Sequence, residues 1–296
     1  MKKKRNWASI LLALLGIGMI ISAFVGYAPE YVDKNEGTQV YEDLVDDVVI
    51  MPTIPDEIPD ETVPEQVIHG IPIQQRNAEE AAQIYPCVEV DNKALLSENS
   101  DYIGWLYIPG TNISYPVCQT DNNQYYLMRR FDGSYGWPGT VFLARRNYTI
   151  FDVHTVIYGH NMNNGTMFYQ LTKYRNEDFA KEHPVWWFVT KDGQKMLFEV
   201  FAVDIVQKDD EHIYFNFFDP DDPEPERFQD RIDYLLEKSS FDMGVDVSHT
   251  TNIMTLSTCK GGSTRYVING SLLWTFEPTD ASEEANTELA DIEPTE

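Results

Sequence analysis

A chain of 296 residues with 48 acidic against 22 basic residues, a formal net charge of -26, is long enough for one ordinary domain with flanking segments. That acidity excludes nucleic acid as a partner, because there is no basic stripe to neutralise phosphates. The three cysteines, Cys87, Cys118 and Cys259, cannot form an even disulfide framework, so at least one thiol is left over.

The chain opens on a basic leader, 1–6, with Lys2, Lys3, Lys4 and Arg5. Residues 7–28, WASILLALLGIGMIISAFVGYA, carry no charge. At about 1.5 Å per helical residue they cross a hydrocarbon core of about 30 Å. The stretch exceeds a signal-peptide core of about 7 to 15 residues, and Pro29 is a poor residue to follow a cleavage point. The expectation is therefore a transmembrane anchor, with a cleavable signal peptide as the rival. Positive-inside bias would leave the leader in the cytoplasm and the rest outside, in a single-pass cell-membrane protein with an extracellular folded domain.

Residues 29–75 hold twelve acids, one lysine and six prolines, which predicts a disordered tether. The tail, 277–296, has eight acids and no base and is predicted to be disordered as well. Between them, 76–276 reads as the folded domain. Its pattern is short β-rich runs broken by Gly, Asn, Asp and Pro: IGWLYIPG, NISYPVCQ, GTVFLA, HTVIYG, PVWWFVT, KMLFEVFAVDIV, NIMTLSTC and RYVINGSLLWTF. Eight such runs predict a mostly β fold, a closed or nearly closed barrel. Helices are few. DNKALLSEN predicts a short one before the first strand, and EPERFQDRIDYLLEKS places Phe228, Ile232, Leu235 and Leu236 on one stripe, with Asp222 and Pro223 as cap and first-turn residues. There is no repeat, no phosphate-type glycine loop and no paired metal-ligand motif, so no cofactor and no metal is expected.

A cysteine nucleophile needs a base, and acyl transfer needs positive charge or N–H groups where the oxyanion develops. In NIMTLSTC, alternation puts Ile253, Thr255, Ser257 and Cys259 on one face with Cys259 at the strand exit. The connecting residues KGGST fit a β-hairpin that brings Arg265 directly across from Cys259. A guanidinium there would favour the thiolate, although an arginine at a strand edge can also simply face water. Cys118, in ISYPVCQ, reads as a small buried hydrophobe, and Cys87 is uninformative. Among the histidines, His249 begins the strand that Cys259 ends, about 30 Å away, which rules it out. His160 closes the run HTVIYG, as Cys259 closes its own. If those two strands are parallel neighbours, both residues emerge at one end; a structural histidine is the alternative.

TLSTC followed by Arg265, VIYGHNM followed by GTMFYQLTKY, and DYIGWLYIPGTNISYPVCQ together resemble the class B sortases, over about Asp91 to Phe276. The resemblance implies a membrane-anchored cysteine transpeptidase on a closed eight-stranded sortase-like β-barrel. Such an enzyme cleaves a C-terminal sorting motif of secreted proteins after threonine through a thioacyl-enzyme, then transfers the protein to an amine of the cell wall. Carried over by position, Cys259 is the nucleophile, His160 the general acid and base, and Arg265 the oxyanion stabiliser. Tyr158, Ser257 and Asn147 fall at substrate-binding positions, and Ala144 stands where the family segment usually has aspartate. The helix stripe from Phe228 to Leu236 falls where class B members carry a long helix before the catalytic strand. A pilin-polymerising sortase with a pilin lysine as acceptor is the alternative. An L,D-transpeptidase or wall peptidase is disfavoured because Ser-His-Gly-Cys and Cys-before-His arrangements are absent, and a non-catalytic surface β-barrel adhesin is the reading from outside enzymology.

Overall fold

The computed structural model describes residue 33 and residues 37–52, 82–207 and 225–278; for 225–227 and 259–261 it describes the backbone alone. The expected anchor over 7–28 and most of the acidic tail lie outside the described residues. Among those described, no helix is long and apolar enough to cross a membrane.

All eight β-rich runs become strands: β3 (Tyr102–Tyr107), β4 (Ser114–Cys118), β5 (Val141–Leu143), β6 (His154–Tyr158), β7 (Val185–Thr190), β8 (Lys195–Gln207), β9 (Ile253–Gly261) and β10 (Thr264–Phe276). They close into one barrel in the order β10-β8-β7-β3-β4-β5-β6-β9, with β9 pairing back onto β10. Closure leaves the barrel itself without a free edge. Two pairings are parallel, β4 with β5 and β6 with β9; the rest are antiparallel. Strand β7, VWWFVT, is buried at every residue. The core is correspondingly aromatic: Trp105, Trp186, Phe168 and Phe188 are fully buried. Two of its indoles meet polar partners inside, Trp105 Nε1 donating to Ser114 Oγ and Trp187 Nε1 to the Tyr85 carbonyl.

Of the two expected helices, α2 (Asn92–Glu98) begins where Asp91 accepts from the Ala94 N–H, an N-cap. A 3-10 segment (Phe168–Arg175) and α3 (Glu177–Glu182) follow β6 and were not expected. The helix before β9, α4 (Pro225–Lys238), buries Ile232 and Leu235 against Phe201, Ala202 and Ile253. Leu236, expected on that stripe, is exposed, and Arg231 is buried in its place. The expected cap residues Asp222 and Pro223 lie outside the described residues.

The predicted tether over 29–75 needs correction at its centre. Residues 37–48 form a helix, α1, which runs into β1 (Val49–Ile50), and β1 pairs with β2 (Glu89–Val90). Tyr41, Leu44, Val45 and Val48 recur at helical spacing and meet the barrel core, while Glu42, Asp43, Asp46 and Asp47 face away or sit at the rim. Tyr41 is 4% exposed and its hydroxyl donates to the Gly139 carbonyl. Summing the acids over the whole segment hid this stripe. The folded unit therefore extends in front of residue 76, the start expected from composition.

Burying a tyrosine with three half-buried aliphatic side chains, less the entropy of ordering a short helix, stabilises by on the order of 3 kcal/mol. A chain beginning at residue 53 is accordingly expected to unfold at lower urea than one beginning at residue 33, with a free energy lower by that amount. Equal midpoints would mean that α1 contributes no net packing.

Candidate active site

The β9–β10 register puts Arg265 directly opposite position 259, as the hairpin reading expected. The connection is tighter than a five-residue loop: the strands continue to Gly261 and Thr264, a turn at 262–263 joins them with Gly262 at φ +59°, and a bulge next to Thr264 takes up Lys260. Cys259 thus lies within β9, two residues before its end. Directly opposite positions of an antiparallel pair stand about 5 Å apart and share one face.

The second strand pairing brings in the histidine. β6 and β9 run parallel, with Tyr158 opposite Ser257. Beyond that pair the chains stay together: the Gly159 N–H donates to the Ser257 carbonyl at 3.3 Å, and the Thr258 hydroxyl donates to the Gly159 carbonyl at 2.9 Å. His160 and Cys259 therefore leave the same end of adjacent strands. Gly159 is required there, because a Cβ would lie 2.7 Å from the ring of Phe168.

His160 is half-buried, and its Nε2 lies 2.6 Å from the Leu127 carbonyl. A carbonyl only accepts, so Nε2 carries the hydrogen and Nδ1 is the basic nitrogen of the neutral ring. Burial holds the pKa of His160 below the ordinary histidine value; the Leu127 carbonyl opposes this and the Arg265 charge adds to it. The peptide of His160 is fixed as well, its carbonyl accepting from the Phe168 N–H at 2.8 Å. Met167, immediately before, sits at φ +53° and ψ -133°, a strained conformation for a residue with a side chain, costing about 1 to 3 kcal/mol. It is held there by a bridge to Asn161 and by a bond from its N–H to the Tyr115 hydroxyl.

The guanidinium of Arg265 sits over the Tyr158 ring, 5.6 Å from its centroid, and Tyr158 rests in turn on Phe142 at 5.5 Å. Ser257, on the same face, has a buried hydroxyl without a hydrogen-bond partner among the described residues. Asn147 is elsewhere. Its side-chain amide donates to Asp152 and to the His154 carbonyl and accepts from the Val156 N–H, tying the β5–β6 loop to the start of β6. These partners on β6 lie four to six residues before His160, about 13 to 20 Å along the strand, with Val156 about 7 Å from Tyr158. Ala144, at the departure from the family pattern, is buried.

Sequence reasoning missed the Leu127 carbonyl, which no side-chain pattern announces, and the Tyr115–Met167 contact. The other two cysteines are removed from this chemistry. Cys118 is fully buried, its thiol pKa raised by burial, and burial pushes Cys87 up to about 12; both are free thiols.

A Sortase domain model matches residues 106–273, more than half of the chain. Sortase B of Listeria monocytogenes is 36% identical over 59% of this chain and 71% of its own length. Among solved structures, sortase B of Clostridium perfringens aligns with a TM-score of 0.57 at 28% identity, covering 62% of this chain and 100% of that one. A Staphylococcus aureus sortase B–substrate complex aligns at 0.55 and 29% identity, over 61% and 83%. With its closed barrel and the Cys259, Arg265 and His160 positions at one mouth, the molecule is a cysteine transpeptidase. The chain belongs to the sortase family and, by the relatives it matches, to class B.

At the opposite end of β6, His154 is buried and donates from Nε2 to Thr255 Oγ1 at 2.8 Å, and Thr255 donates to Asn269 at 2.7 Å. Burial, with the Arg231 charge second, lowers the pKa of His154 to about 3. An unfolded chain takes up this proton near pH 6.5 and the native one does not, so stability is complete above about 6.5 and falls as the pH drops towards 3. His154→Gln should remove about 1.4 kcal/mol per pH unit from the slope of unfolding free energy between pH 6 and 4. Parallel slopes for the two proteins in urea titrations would contradict the assignment.

Proposed function

We propose that Cys259, as thiolate, attacks the threonine carbonyl of a C-terminal sorting motif borne by secreted proteins. The C–S bond forms as the peptide C–N bond breaks, and imidazolium His160 protonates the departing amine. The thioacyl-enzyme is then resolved by an amine that neutral His160 deprotonates, joining the cargo to the acceptor and freeing the thiol. Arg265 and backbone N–H groups bind the oxyanion of both steps. The observation that carries this reading is the register that sets Arg265 opposite Cys259 while the parallel β6–β9 pairing brings His160 to the same mouth.

Tyr158 and Ser257 belong to the substrate side in this reading, supported by the Arg265–Tyr158 contact and by the buried Ser257 hydroxyl, which has no hydrogen-bond partner among the described residues. Asn147 would act there only by shaping its loop. The acceptor is an amine of the cell-wall precursor, with the catalytic domain held outside the cell by the charge-free stretch 7–28. A pilin lysine is the other acceptor; glycine-oligomer and lysine-containing acceptors, offered with a set of sorting-type peptides and read by product mass, separate the two.

Cys259→Ala is expected to abolish both cleavage and transfer. Cys118→Ala should lower stability by about 1 to 2 kcal/mol and leave turnover per folded molecule intact. Equal loss of activity in both folded variants would sink the assignment of the nucleophile.

Arg265→Lys keeps the charge and loses the planar fork. Turnover is expected to fall about a hundred- to a thousandfold, the scale of losing one oxyanion donor, with the circular dichroism spectrum unchanged. Near wild-type turnover in that variant would reduce Arg265 to a generic positive charge and shift oxyanion binding to backbone N–H groups.

A further inference from the structure

We propose that Tyr41, on α1, is a positioning residue for His160, acting through Gly139 and Thr140 and through Tyr115 on the two backbone segments that fix the imidazole. The proposal rests on His160 being the acid and base of the reaction.

The first segment holds the ring. The Tyr41 hydroxyl donates to the Gly139 carbonyl at 2.5 Å and lies 3.1 Å from the Thr140 hydroxyl. Gly139 has φ +60° and passes so close to the preceding loop that a Cβ would lie 2.4 Å from the Tyr126 carbonyl. The Thr140 N–H donates to that same carbonyl at 2.9 Å, and the Thr140 hydroxyl to the Arg129 carbonyl at 2.8 Å. The stretch from Tyr126 to Arg129 is therefore pinned at both ends against Thr140. Leu127, whose carbonyl orients His160 Nε2, lies inside it.

The second segment holds the peptide of His160. The Tyr41 ring meets the Tyr115 ring edge-on, centroids 5.6 Å apart at 88°, which fixes where the Tyr115 hydroxyl points. That hydroxyl accepts from the N–H of the strained Met167, and the next N–H, of Phe168, donates to the His160 carbonyl. The same loop gains a further tie to α1, Asn164 donating to the Thr38 hydroxyl at 2.9 Å. Tyr41 touches neither His160 nor the substrate side, so its effect must pass through Leu127 and Met167.

The test uses the full chain in detergent and compares wild type with Tyr41→Phe, which keeps the ring contact and loses the bond to Gly139, and Tyr41→Ala, which loses both. Two quantities are read: the titration of the His160 ring by NMR, and kcat and KM for cleavage of a set of sorting-type peptides. The Leu127 carbonyl supports the protonated ring and the facing Arg265 charge opposes it, so a loosened Leu127 should move the His160 midpoint to lower pH, more in Tyr41→Ala than in Tyr41→Phe. Turnover per folded molecule should drop about three- to tenfold in Tyr41→Phe and about a hundredfold in Tyr41→Ala, with KM within about twofold. A purely structural Tyr41 would lower the folded fraction while leaving the His160 midpoint and the turnover per folded molecule unchanged, and that result overturns the proposal. Should Tyr41→Ala not fold, Tyr41→Phe carries both readouts. If wild type cleaves no peptide, the proposed chemistry fails, yet the His160 titration still decides the positioning role.

Discussion

The parallel pairing of β6 with β9 is the constraint on which the site depends. Parallel neighbours need a long crossover, and the chain spends everything from Gly159 to Asn252 making it, including β7, β8, α3 and α4. In return two residues almost a hundred positions apart reach one mouth of the barrel in a register set by five consecutive residue pairs. A slip of one residue would turn Tyr158 and Ser257 to the other face. Burial on both sides of β6 and β9 opposes such a slip, since Ile157 and Leu256 fill the interior while Thr255 and Ser257 are covered outside. The placement of the two strand ends is thus a by-product of core packing.

Much of this was legible because strand signals are local. Each of the eight runs is bounded by Gly, Asn, Asp or Pro and becomes one strand, and the hairpin joining Cys259 to Arg265 followed from a short glycine-bearing connection. Parallel adjacency of the His160 and Cys259 strands entered only as a condition, because sequence periodicity says nothing about which strands are neighbours. Asn147 shows what position alone leaves out: its amide bonds Asp152 in its own loop and the backbone of His154 and Val156 on β6.

Two misses share another cause. In α1, composition summed over a long acidic segment masked a stripe of Tyr41, Leu44, Val45 and Val48 that packs on the barrel core, with the Tyr41 partners Tyr115 and Gly139 some seventy to a hundred residues away. In α4, Leu236 and Arg231 exchange the places that hydrophobicity alone assigns them: Arg231 stacks near Tyr234, 5.6 Å away, under cover of the barrel wall. Apolar character marks which face of a helix can be buried. Which residue at the margin of that face goes under depends on what the neighbouring strand offers.

The electrostatics of the mouth follow from a tension that no single residue resolves. A guanidinium opposite a cysteine favours the thiolate, and the same charge disfavours the imidazolium that must protonate the leaving amine. Burial pushes His160 in the same unhelpful direction. Among the described residues the Leu127 carbonyl pulls the other way, and it does so selectively, because a hydrogen bond from Nε2 strengthens when the ring gains charge. It also fixes the tautomer, leaving Nδ1 for proton traffic. The position of that one carbonyl therefore sets both the availability of the proton and the direction from which it is delivered. A backbone group in a loop can hold such a position only if the loop itself is clamped. The bonds from Thr140 to the Tyr126 and Arg129 carbonyls supply that clamp, so the reach of the catalytic unit extends past the residues that touch substrate.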